Sequence, residues 1–239
     1  METGAAALVF ATAFLAGGRI YPMRAILRNQ QSMLSFSAGI ALAYVFVHVM
    51  PELSAARETV IRFSMLPTFF QGMMVYFSAL LGFLLFFSLD QLSKRRRLAV
   101  LPGAPTPVFD LKLIGFAGYV CLTSYLLVNN LDNSALASAA YALAMAVHFL
   151  TFDHGFREEP GDTYARRGHL VLAAAAVLGW GLGLAFALPR AALAILLGFL
   201  SGGIIVNTAI VELPTGKDSR VWPFWAGALT YGALLINLR

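Results

Sequence analysis

Six side chains in an otherwise apolar chain could hold a metal cation: His48, Glu52, His148, Asp153, Asn207 and Glu212. His48 and Glu52 close the run ALAYVFVHVMPEL, residues 41–53, with Pro51 between them. Four residues apart on a helix, they share one face, with Cβ atoms about 5–6 Å apart. An imidazole nitrogen and a carboxylate oxygen converging in this way suit Zn²⁺, Mn²⁺ or Fe²⁺. Pro51 removes a backbone donor and is expected to open the last turn and free a carbonyl. Two donors make half a site. The competing reading has His48 donating to a neighbouring helix and Glu52 lying beside Arg57.

His148 falls roughly 20 Å along its apolar run at 1.5 Å per residue, a depth where ionisable groups are rare and often functional. A histidine bonded to a neighbouring helix explains it equally well. Asp153 is five residues further on, so the two converge only if the helix is irregular. Asn207 sits in GFLSGGIIVNTAIVEL with four hydrogen-bonding positions to satisfy, as a carbonyl on a cation path or as a link between helices. Glu212 follows by five and precedes Pro214. In the same run, Gly198-x-x-x-Gly202 and Gly203 form a face that lets another helix approach closely, and such glycine-rich faces suit a homodimer contact.

The elements that position these residues follow from composition. Of 239 residues, 59% are hydrophobic and 12% charged, and the mean hydropathy is +0.74. Soluble domains carry about twice that charged fraction, so the expected solvent is a lipid bilayer. The reading is an all-α, polytopic membrane bundle of eight helices in a single domain, 1–239. Spans are placed near 4–22, 33–50, 68–91, 110–129, 134–154, 169–188, 191–211 and 221–238. The start METGAAALVF has no basic leader region, so the first span is expected to be retained. The lone Cys121 excludes a disulfide framework.

A pI near 9.6 can signal a nucleic-acid partner, but here the basic residues cluster between apolar runs and write orientation. With both termini outside, thirteen of the seventeen Lys and Arg fall on the inner side. The segment 92–109, SKRRR followed by prolines, is expected to be a cytoplasmic loop. The compact chain with short connections fits a prokaryotic inner membrane. No Gly-x-Ser-x-Gly, phosphate loop, Cys-x-x-Cys or His-Glu-x-x-His is present, so an enzyme is not expected. A glutamate beside a proline ends both the second span (VHVMPEL) and the seventh (TAIVELPTG). These endings suggest an inverted repeat of spans 1–3 and 6–8, a common transporter plan.

SAGIALAYVFVHVMPEL resembles the second span of the ZIP (Zrt/Irt-like) divalent-metal transporters. LLGFLSGGIIVNTAIVELP followed by VWPFWAGALTYGALL is similar to their seventh and eighth spans. The resemblance implies eight spans, termini outside, and a divalent cation (Zn, Mn or Fe) as cargo rather than as a resident cofactor. It also implies a mid-membrane metal site on spans four and five. The fourth span here, LKLIGFAGYVCLTSYLLVNN, lacks that site's histidine and carboxylate. In the fifth, AMAVHFLTFDHGFRE, His148 matches the motif histidine, Thr151 replaces its proline, and Phe152 stands where the carboxylate belongs, one residue before Asp153. The chain is thus identified as a divergent member. The alternatives are a ZIP-fold membrane protein with a structural or regulatory role, or a transporter of protons or an organic solute with His148 titrating.

Overall fold

In a bilayer, apolar runs have no water to satisfy their backbone, so they close their hydrogen bonds internally as helices. The computed structural model describes residues 2–20, 30–63, 68–99, 107–129, 135–157, 164–209 and 221–237. Every regular element among them is helical. In chain order these are α1 (Glu2–Ile20), α2 (Gln30–Ala43), a π-helical turn at Tyr44–Val49, α3 (Met50–Phe63), α4 (Thr68–Gln71) and α5 (Met74–Ala99). There follow α6 (Pro107–Asn129), α7 (Ala135–Arg157), a second π turn at Tyr164–Gly168, α8 (His169–Ala185), α9 (Arg190–Asn207) and α10 (Val221–Asn237). Helices stand at all eight predicted positions. Five stretches, Ser35–Arg62, Met74–Ser93, Leu111–Asn129, Arg166–Ala185 and Arg190–Asn207, are long and apolar enough to cross a membrane, and Thr3–Gly17 is a shorter apolar helix. The molecule is a helical membrane bundle.

Two boundaries differ from the sequence expectation. The second span does not stop near residue 50: α3 carries the helix on to Phe63, and Pro51 sits inside it. The accommodation is the preceding π turn, where the Met50 N–H bonds the Val45 carbonyl, one residue further back than in an α-helix. A wider turn gives room to a ring that would otherwise press on the carbonyl four residues back. Within the expected loop 92–109, α5 continues through the basic residues to Ala99 and α6 begins at Pro107, while 100–106 lie outside the described residues. Lys, Arg and Leu are good helix formers, and proline is well tolerated in a first turn.

The helices pair selectively. α5 lies along α9, α2 along α10, α6 along α8, and α1 against both α7 and α8, while α3 crosses α9. Glycines set the closest of these contacts. A Cβ on Gly39 would strike the Phe224 carbonyl, and one on Gly227 the Phe36 carbonyl. In the other pair, Gly202 faces the Ala79 carbonyl and Gly82 the Phe199 carbonyl. Each glycine therefore lies three residues after the carbonyl that its partner glycine meets, in both pairs alike. Ser78 fastens the second pair by sharing its hydroxyl between the carbonyls of Val75 and Ile195, at 2.8 and 2.9 Å. The Gly198/Gly202 face, expected to suit a homodimer, is covered by α5 of the same chain.

Candidate functional site

α7 is regular through residues 148–153, so His148 and Asp153 leave it in different directions and meet different partners. His148 is 3% exposed, and its Nε2 lies 3.0 Å from the Tyr119 hydroxyl of α6. Phenylalanines crowd the pair. Phe152 meets the imidazole edge-on at 4.6 Å, Phe149 lies at 6.2 Å, and Phe86, Phe116 and Phe149 pack around Tyr119. Where the ZIP resemblance implies a carboxylate, Phe152 instead closes a hydrocarbon wall around the histidine.

Asp153 is fully buried, and a cation and a phenol hold its carboxylate. Arg157 Nε donates to Oδ2 at 2.6 Å, its NH2 group to Oδ1 at 3.0 Å, and the Tyr164 hydroxyl to Oδ1 at 2.7 Å. Gly17 of α1 leaves space for this cluster, since a Cβ there would meet the carboxylate. Burial first, and the Asp153 charge next, push the Tyr164 hydroxyl well above its ordinary pKa, so it stays a donor. The cluster ties α1, α7 and the π turn before α8 together. It holds Asp153 away from His148, and on this regular helix the two do not converge.

His48 and Glu52 do come together. Nε2 and Oε2 are 3.3 Å apart, both residues are partly exposed, and Tyr44 stacks on the imidazole at 5.0 Å. Arg57, the alternative neighbour of Glu52, bonds Glu58 at 2.8 Å. His48 lies in the π turn and Glu52 just after it, a placement common at functional sites. Among the described residues, no group of three or more His, Cys, Asp and Glu side chains could hold a metal ion. Glu212 lies outside the described residues.

Asn207 is 5% exposed and lines a cavity of about 40 Å³ between α5, α6, α7 and α9. Phe86, Phe116, Phe152 and Phe156 form its walls. Asp90 and Lys112 place opposite charges in it, Nζ to Oδ1 at 3.8 Å, with each side chain 13% exposed. Sequence reading missed this pair, having assigned Lys112 to the topology signal. The clue was a lone aspartate inside the apolar run LLGFLLFFSLDQL. It also missed Arg157 as the partner of Asp153, although the four-residue spacing was visible. The Tyr119 contact across helices has no local signature. The chain matches no protein-family model and no curated protein sequence.

Proposed function

We propose that this chain is a secondary transporter of ZIP-like architecture, with eight spans built as an inverted repeat. The observation that carries this reading is the helix pairing. Exchanging span one with six, two with seven, three with eight and four with five turns the α5–α9 pair into α10–α2, and α6–α8 into α7–α1. The α2–α7 contact becomes α9–α6, and α1–α8 and α3–α9 map onto themselves; among the described residues, α5–α6 and α3–α5 lack comparable counterparts. The reciprocal glycine–carbonyl geometry of the two tight pairs obeys the same exchange, as do the π-helical residues that follow Gly39 in α2 and Gly202 in α9. Such repeats support two bundles that move against each other around a site between them. One bundle comprises α2, α3, α5, α9 and α10, and the other α1, α6, α7 and α8.

The cargo class implied by the resemblance is a divalent cation. His48 and Glu52 have the geometry to meet one first, as an imidazole and a carboxylate one turn apart on a partly exposed strip. A complete shell then requires His148 to leave Tyr119, or Asp153 to leave Arg157, in a second state. The test is the thermal stability of the detergent-purified protein with Zn²⁺, Mn²⁺ or Fe²⁺, beside His48→Ala and His148→Ala. A metal at about a hundred times its Kd stabilises the folded state by about 2.7 kcal/mol. A shift abolished by both substitutions supports ligation by both histidines; no shift with any metal removes the divalent cargo. The charged, aromatic-walled cavity favours a second reading, in which the cargo is a small organic solute.

A further inference from the structure

We infer that Phe86 plugs a gate between the two bundles and that the Asp90–Lys112 pair latches it. Moving α5 away from α6 opens the Tyr119–His148 pair to the cavity on the other side of the plug. The inference rests on the two-bundle reading above. Two helix pairs lack counterparts under the exchange of spans; α3–α5 lies within one bundle, whereas α5–α6 crosses from one to the other. The exchange partner of α5–α6, α10 with α7, makes no comparable contact among the described residues. A contact between bundles at one end only is what distinguishes one arrangement of an inverted repeat from the other. That end is the inner one by charge, since Asp90 lies one helical turn before the basic run Lys94–Arg97.

Each half of the gate is fixed to its own bundle. Phe86 packs on Phe199 of α9 at 6.1 Å, and Gly203 leaves space for its ring, since a Cβ there would meet both Phe86 and Tyr119. Tyr119 belongs to α6, which Gly179 of α8 meets at the Cys121 carbonyl. Across the gate, Phe86 meets the Tyr119 ring edge-on at 5.3 Å and Phe116 at 5.6 Å, and a Cβ on Gly115 would strike the Leu89 side chain. The tight glycine–carbonyl contacts of α5–α9, α2–α10 and α6–α8 lie within the bundles, whereas these join side chains, which part without dragging a backbone. The cavity of about 40 Å³ lies between two helices of each bundle. Phe86 and Phe152 line it and separate it from Tyr119 and His148. Phe152 shares α7 with His148 and moves with it, so Phe86 is the removable wall. Asp90 and Lys112 carry opposite charges across the same gap, Nζ to Oδ1 3.8 Å, and their low exposure strengthens the attraction that keeps α5 on α6.

The experiment measures acylation of His148 by diethyl pyrocarbonate, read by mass spectrometry on the purified full-length protein in detergent. His48, partly exposed, serves as the internal reference. In the unaltered protein His148 is expected to react far more slowly than His48, because burial shields its imidazole. Phe86→Ala is expected to raise the His148 rate several-fold and to leave the His48 rate unchanged. Asp90→Asn is expected to raise it as well, and the exchanged pair, Asp90→Lys with Lys112→Asp, to restore protection. Phe10→Ala is the packing control: it opens space beside Phe149 on the α1 side, within one bundle, and is expected to leave His148 protected. An unchanged His148 rate in Phe86→Ala, or an equal rise in Phe10→Ala, overturns the gate. Should Phe86→Ala fail to melt cooperatively, Asp90→Asn decides, and no rise there overturns the gate too. No cargo is present in this assay. A gate that opens in a chain that carries no cation therefore keeps the inference and removes only the cargo, and an unchanged rate beside measured uptake removes only the gate.

Discussion

Asp153, sealed from water with a guanidinium and a phenol on its oxygens, is the residue whose partners matter most to stability. Arg157→Met leaves a buried carboxylate without its countercharge, and a loss of about 3–5 kcal/mol in detergent denaturation is expected. Tyr164→Phe removes one hydrogen bond to that charge, at a cost of about 1.5–3 kcal/mol. The phenol also carries a pH signature. Its raised pKa means that above about pH 10 the unfolded chain releases the proton while the folded chain keeps it. The unfolded state then binds fewer protons, so stability is undiminished below pH 10 and falls above it by about 1.4 kcal/mol per pH unit. Denaturation of Tyr164→Phe between pH 9 and 11 is expected to show a shallower alkaline decline; equal slopes remove the proton from Tyr164. At this scale the sequence offered the candidates but not the pairings. His48 and Glu52 were legible because a helix fixes their spacing. The five-residue spacing of His148 and Asp153 already set them apart on a regular helix, but their neighbours Tyr119 and Tyr164 come from distant elements and were not legible.

The helix pairs stand or fall on their glycines. Gly39→Ala and Gly202→Ala each drive a methyl into a partner backbone carbonyl, which cannot swing aside as a side chain can. Each is expected to cost about 1–3 kcal/mol, or more if the helices separate. Nothing lies within 4 Å of a Cβ at Gly118 or Gly181, so alanine there is expected to be neutral or to gain up to about 1 kcal/mol of helix propensity. Melting the four variants in parallel tests the pairing: equal responses at all four positions mean that α2–α10 and α5–α9 do not touch as described. The helices themselves were plain in the sequence, since long apolar runs admit little else. The π turn before Pro51 and the extension of α5 to Ala99 were not, because proline and a basic run are read locally as breaks while the rest of the helix overrides them. The Gly198/Gly202 face was recognised, but its partner, α5 of the same chain, is a tertiary fact.

For the whole molecule, the proposed inverted repeat, if it holds, predicts two equivalent arrangements of the bundles, one open to each side of a membrane. The endings VHVMPEL and TAIVELPTG suggested this exchange from the sequence, but Glu212 and Pro214 of the second lie outside the described residues; the matching glycines, three residues after Phe36, Phe199 and Phe224, become legible only beside the contacts they make. Uptake into liposomes that hold the purified protein, assayed for Zn²⁺, Mn²⁺ and Fe²⁺ against protein-free liposomes, tests the proposed cation transport most directly. Protein-dependent uptake of at least one cargo is expected, saturable and lost in Gly202→Leu, which cannot close the α5–α9 contact. If none of the three crosses faster than in empty liposomes, while the reconstituted protein keeps its cooperative melt, the divalent-cation transporter reading is contradicted.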